Sequence, residues 1–304
     1  MVSSVLSNIL QPRKVLPPAR KVMASMAKIQ RRVVMVDSTA IPIQLYTPRG
    51  DGPFPTVLLL PSIDFVAGDM VTHDRIARSI AAEIPALVVL PEPGALPESD
   101  WPTVLHQLQS VLDWIPDHVE RWNGRTDCLV LVGEGSAGAQ AAALSTRRPG
   151  DITLTILVLP VLDLRRDAWD ERPWYADTMA GNDRAAEQIS PLAWDIAEAS
   201  PTYVITGSED PVRDQGTEWA HRLLELQVPT TQRVLAGQGA MGMEWAMVSP
   251  NVLQVVFDNA DGRFPVDSDE VRLPRRSAAA AGARPRPKPR PRPKPKRPAR
   301  APAP

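Results

Sequence analysis

Cys128-Leu-Val-Leu-Val-Gly-Glu-Gly-Ser-Ala-Gly-Ala-Gln-Ala-Ala-Ala143 is the stretch on which the fold turns. Its five apolar residues, Cys128 to Val132, predict a short buried strand. Gly133, Gly135 and Gly138 predict a tight turn around Ser136, and Ala139 to Leu144 are strong helix formers. A strand, a sharp turn carrying a serine and a helix make a nucleophile elbow, which lifts the serine oxygen clear of the sheet. The same letters from Gly133 to Gly138 spell G-x-G-x-x-G, the dinucleotide-binding pattern. That pattern opens the first βαβ unit of a domain and wants an acidic residue about 20 positions on. Here several strands precede it, and Asp163 lies 25 residues beyond Gly138, past a proline. The third reading is a glycine-rich turn with no chemistry.

Outward from this stretch the chain alternates. Arg32 to Asp37 and Ile41 to Tyr46, joined by Ser38-Thr39-Ala40, predict a hairpin. The apolar runs Thr56 to Leu60 and Ala86 to Leu90 suit strands buried on both faces. Apolar spacing predicts helices over His73 to Ala82 and Trp101 to Ile115. Downstream, strands at Leu154 to Leu159, Tyr203 to Thr206 and Gln232 to Leu235 alternate with helices at Val212 to Leu226 and Val248 to Phe257. The class is therefore α/β, a mostly parallel, doubly wound sheet with a leading antiparallel hairpin.

Four parts follow from composition. Residues 1–30 predict an N-terminal helical or cap segment, with Val5, Ile9 and Leu10 on one helical face and Val22, Met26 and Ile29 on another. The core is 31–164 and 191–262. The polar, Trp- and Asp-rich stretch 165–190 is a cap insertion, whose Trp169 and Trp174 line an apolar pocket with Trp194 or form cap core. The part 272–304 is a tail of Arg-Pro and Lys-Pro pairs, expected to be extended and disordered.

Charge divides the same way. Twelve of the 34 basic residues and none of the 35 acidic ones lie in 272–304, which leaves a balance of −13 over residues 1–271. The segment 284–300 suits an anionic partner: nucleic acid, an anionic polymer or an acidic protein. It lacks interleaved aromatics, so any nucleic-acid binding is expected to be non-specific. A single cysteine, Cys128, excludes an internal disulfide. With no signal-peptide pattern and no apolar run near membrane-span length, the sequence predicts a soluble, cytoplasmic protein.

Several stretches resemble the hormone-sensitive-lipase family of α/β-hydrolases, the fold-3 esterases, over about residues 30 to 245. Phe65-Val-Ala-Gly-Asp69 with His73-Asp74 and Ala77-Arg78 resembles the family's segment after its H-G-G-G run. Leu96-Pro-Glu98 and Trp101-Pro102 resemble its A-P-E and F-P-A, and Ser136-Ala-Gly138 resembles its G-D-S-A-G-G elbow. Ser190-Pro-Leu192 resembles its S-P-L, and Gly207-Ser-Glu-Asp-Pro-Val-Arg-Asp214 its G-x-x-D-P-L-R-D. Gly239-Ala-Met-Gly-Met243 falls where the family has H-G-F. The resemblance implies an α/β-hydrolase fold with a small helical cap, acting on small acyl esters without a cofactor. It places Ser136 on the nucleophile and Asp210 on the triad acid, with Ala137 supplying the backbone N–H for the oxyanion.

The departures concern chemistry. Met241 occupies the family's histidine position, and no histidine follows His221. Pro61-Ser-Ile-Asp64 replaces H-G-G-G, so Ser62 and Ile63 resist the required backbone turn and Asp64 adds charge where an oxyanion must develop. Glu134 stands two before the serine, where a tight turn wants a small residue; it is read as solvated or paired, or as a substitute base. Without a base Ser136 is a weak nucleophile. Asp210 is expected to cap the helix after it, with Pro211 first in that helix. His73, His106 and His118 read as ordinary helix or turn residues, and no spacing suggests a metal site. The leading expectation is a catalytically lapsed or strongly impaired esterase relative acting as a binding or scaffolding protein. The alternative is an active, atypical serine ester hydrolase. A remote third is a dinucleotide-binding protein.

Overall fold

The computed structural model describes residues 26–36, 38–62, 70–83, 85–94, 99–165 and 183–235. All of them fall in the first of the chain's two units, Met1–Val271. The helical face expected at Val5 to Leu10, Ile63, Asp64, Trp169, Trp174, Met241, the helix at Val248 to Phe257 and the tail lie outside the described residues.

Eight strands form one sheet: β1 (Met26–Val36), β2 (Thr39–Pro48), β3 (Phe54–Leu60), β4 (Leu87–Pro91), β5 (Gly124–Glu134), β6 (Leu154–Val158), β7 (Thr202–Gly207) and β8 (Thr230–Leu235). Their spatial order is β1-β2-β4-β3-β5-β6-β7-β8. The β1–β2 and β2–β4 pairs are antiparallel and all others parallel. The hairpin is longer than the sequence suggested. β1 begins at Met26, so Met26 and Ile29 belong to a strand and not to the expected helix. Ile29 lies opposite Tyr46, and the ladder runs along almost the whole of both strands.

The helices are α1 (Met70–Glu83), α2 (Trp101–His118), α3 (Ala137–Arg147), α4 (Asp183–Gln188) and α5 (Arg213–Glu225). Alternation along β3 and β5 sends Leu58, Leu60, Leu129 and Leu131 to one face of the sheet and Val57, Leu59, Val130 and Val132 to the other. α1 covers the second face through Ile76, Ala77 and Ile80. α2, α3 and α5 cover the first through Val104, Leu108, Val111, Ala141, Trp219 and Leu223. Each such fully buried Leu, Ile or Val contributes roughly 1.5–3 kcal/mol. α2 starts where Asp100 caps it, its carboxylate accepting the Thr103 N–H at 2.8 Å.

One sequence expectation changes at α5. That helix starts at Arg213 and its cap residue is Val212, without a side-chain cap bond. Asp210 Oδ1 instead accepts the N–H of Val212, two residues on, at 3.0 Å. The carboxylate closes a small turn before the helix, and Pro211 lies in that turn rather than inside the helix.

Parallel strands place their carboxyl ends on one edge, where open α/β sheets build their sites. Ser62 follows β3, Glu134 ends β5 with Ser136 beyond it, Asp163 follows β6 and Asp210 follows β7.

Candidate functional site

Ser62 and Ser136 come together at this edge because β3 and β5 are direct neighbours, with Leu60 opposite Gly133. Ser136 is 2% exposed and Ser62 7%. Their hydroxyls are hydrogen-bonded at 2.8 Å, and either oxygen can be the donor. The Ser62 N–H donates to His73 Nε2 at 3.1 Å, so that ring nitrogen carries no proton. His73 sits in α1 and is 1% exposed.

The sequence passed over His73 as an ordinary helix residue. The structure adds to this by making it the acceptor of the Ser62 N–H just beyond β3. No residue pattern signals it, because the bond depends on where α1 lies against the end of β3.

The turn itself is sharply defined. Gly135 has φ +56°, whereas Ser136 has φ −64° and ψ −27°, ordinary right-handed helical values. The Gly135 N–H donates to the Val158 carbonyl at 3.0 Å, and the Gly135 carbonyl accepts from Gly138 at 3.0 Å and Val161 at 2.9 Å. Ala137 is the first residue of α3 and fully buried. Glu134, the last residue of β5, is half-buried opposite Val158.

Asp210 is 7% exposed and stands two strands away, beyond β6. Asp163 is also buried, and its carboxylate is gripped by the Arg165 guanidinium at 2.9 Å and 2.5 Å. Among the described residues, Ser136 is hydrogen-bonded through its side chain to Ser62 and to no imidazole. Also among the described residues, no group of three or more His, Cys, Asp or Glu could hold a metal ion. No helix among them is long and apolar enough to cross a membrane.

This arrangement can donate and accept hydrogen bonds at the sheet edge. Among the described residues, the acceptor it gives the Ser136 side chain is a hydroxyl. His73 would have to release the Ser62 N–H before its Nε2 could take a proton, and a buried N–H left unpaired costs about 1–3 kcal/mol. A groove of about 890 Å³ runs elsewhere, beside α2, where Trp101 meets Trp194 edge-on at 6.3 Å. It includes none of Ser62, Ser136 and Asp210.

Residues 64–240 match the sequence pattern of a family described as alpha/beta hydrolase fold. Esterase LipI of Mycobacterium tuberculosis is 24% identical over 197 residues, 58% of this chain and 61% of that protein. Carboxylesterase NlhH of the same organism is 25% identical over 246 residues, 72% of this chain and 74% of that one. The chain thus spans less than two thirds of the length of LipI. Among solved structures, a hyperthermophilic esterase from the archaeon Pyrobaculum calidifontis aligns with a TM-score of 0.70 at 19% identity, covering 78% of this chain and 88% of that one. That likeness is one of fold.

Proposed function

The chain belongs to the α/β-hydrolase fold family, and from that premise we propose a relative of the carboxylesterases and lipases whose ester hydrolysis has lapsed or is strongly impaired. In this reading it acts as a binding or scaffolding protein that takes a small acyl ester or similar apolar ligand at the Ser62–Ser136 edge. One observation supports it above the others: the Ser136 hydroxyl is bonded to a hydroxyl, and the nearby His73 Nε2 is already engaged by a backbone N–H. Met241 at the family's histidine position supports it from the sequence. The cationic segment 284–300 is assigned to an anionic partner, and a cytoplasmic location rests on the single, buried Cys128.

Turnover of p-nitrophenyl acetate and butyrate tests the proposal. Loss of the triad base in a serine hydrolase costs on the order of 10⁶ in turnover, so the expected rate is close to that of the spontaneous reaction. Robust turnover abolished by Ser136→Ala would overturn it.

That result would promote the second reading, an atypical serine ester hydrolase. The observation on its side is that Ser62 bonds to Ser136 through its hydroxyl and to His73 through its N–H, which sets a histidine one residue away from Ser136. A dinucleotide site has less support, since Asp163, its acidic candidate, is held by Arg165.

A further inference from the structure

We propose that the strained corner of the elbow, the position where a nucleophile would stand, is Gly135, and that Ser136 is the residue after it. Two registers can be laid on a G-x-S-x-G turn, in which the middle residue takes the strained conformation, and each departs from its letters. One centres on Ser136, flanked by Glu134 and Gly138. The other centres on Gly135, flanked by Gly133 and Ala137.

Backbone and space both select the second. The left-handed φ of the turn belongs to Gly135, and Ser136 is already helical. Three backbone hydrogen bonds to Val158, Gly138 and Val161 fix the corner there. Two residues earlier, a Cβ at Gly133 would sit 2.5 Å from the Ala137 carbonyl oxygen and 2.7 Å from the Ala141 Cβ. Only glycine fits at 133, as the close packing of strand against helix in such an elbow requires. At Gly135 the opposite holds. Among the described residues, a Cβ there would meet Ser62 Oγ at 3.7 Å, an ordinary contact. Among the described residues, space admits a side chain at 135 and the dihedral is what resists one.

The same register accounts for Glu134. Gly133 to Gly138 read against G-D-S-A-G-G, without a gap, put glycine on glycine at both ends and Glu134 on the family's acid. Gly135 then takes the serine's place. The N–H that follows the corner is that of Ser136, not of Ala137, and the Ser136 hydroxyl is a supporting group tied to Ser62.

Two single-cysteine exchanges in the full-length protein test this assignment, because a thiol is nucleophilic without a dedicated base. Gly135→Cys and Ser136→Cys are each mixed with p-nitrophenyl acetate. The introduced thiol loses its proton to solvent, and its sulfur attacks the acetyl carbon. The S–C bond forms as the ester C–O bond breaks, and p-nitrophenolate leaves with the electron pair. The release of p-nitrophenolate gives the rate, and peptide mapping locates the acetyl group. The unsubstituted protein, whose Cys128 is 2% exposed, supplies the background.

Acetylation in Gly135→Cys is expected to be at least about tenfold faster than in Ser136→Cys, whose side chain is buried against Ser62. Equal rates, or a faster Ser136→Cys, would overturn the assignment. If Gly135→Cys fails to fold, melting temperatures decide. Gly135→Asn, tolerant of a left-handed φ, is expected to melt above Gly135→Val, and equal melting would overturn the corner. Ester turnover by the unsubstituted protein with no acyl group on Ser136 would sink the impaired-enzyme reading and leave this assignment standing. An acylated Ser136 would sink both.

Discussion

Two neighbouring residues of α1 serve two different polar clusters. His73 supports the edge after β3, where it joins Ser62 and Ser136. Asp74, the next residue, accepts a hydrogen bond from the Tyr46 hydroxyl at 2.8 Å and pairs with Arg78 Nε at 2.6 Å. The first cluster joins two hydroxyls, a backbone N–H and an imidazole nitrogen that carries no proton. The second is ionic, and burial together with the Asp74 hydrogen bond raises the Tyr46 pKa above its ordinary value of 10.0. The difference teaches that a buried histidine beside a serine is not yet a base. What its nitrogen already accepts decides that, and here it accepts the main chain.

The largest expected effect comes from rebuilding the chemistry at the first cluster. Met241→His, with Pro61→His, Ser62→Gly, Ile63→Gly and Asp64→Gly, is expected to stay near the background rate on p-nitrophenyl butyrate. Adding Gly135→Ser to that set is expected to raise turnover by roughly 10³-fold or more, since base and oxyanion donors act only with a nucleophile between them. Equal rates with and without Gly135→Ser would erase the distinction between corner and support.

Next in size is His73→Leu. It removes the acceptor of a buried N–H, and a loss of about 1–3 kcal/mol is expected in urea unfolding. His73→Gln, which can still accept, should lose less. Equal losses would mean that packing alone explains His73.

Tyr46 gives a smaller effect with a pH signature. Its folded pKa is raised, so above pH 10 the unfolded chain ionises first and binds fewer protons than the folded one. The stability it contributes is complete below the ordinary value and is lost as pH rises beyond it. Tyr46→Phe is expected to flatten the alkaline decline in a series of melting curves. An unchanged decline would assign it to other groups.

The smallest effect belongs to Arg78→Met. The Arg78–Asp74 pair leaves its side chains 19% and 27% exposed, so a loss below about 1 kcal/mol is expected, shrinking further in high salt.

Most of the sheet was legible because β3, β4 and β6 are apolar runs that only a doubly covered sheet can bury. Their parallel pairing followed from the alternation with helices. The boundaries were less legible. β1 reaches back to Met26 because hairpin pairing, and not local apolar period, recruits Lys28 and Gln30. At the edge, residue identity pointed to Ser62, Ser136 and Asp210, all of which lie at strand ends. Two features were invisible to it. The bond from the Ser62 N–H to His73 depends on where α1 returns, and residue letters do not carry that. The left-handed φ is a property of one backbone position, and three glycines within six residues offered several candidates for it.

The φ of +56° at Gly135 also bears on how such a chain ages. A serine held there would store conformational strain of about 1–2 kcal/mol, a common condition of residues that do chemistry. Glycine stores almost none. Selection that no longer asks for turnover would therefore meet a drift toward glycine at this one position that makes the fold sturdier. Return would be uphill in stability before it was useful in rate. On the proposed reading the corner would work as a ratchet, letting the scaffold outlast the reaction for which its shape was suited.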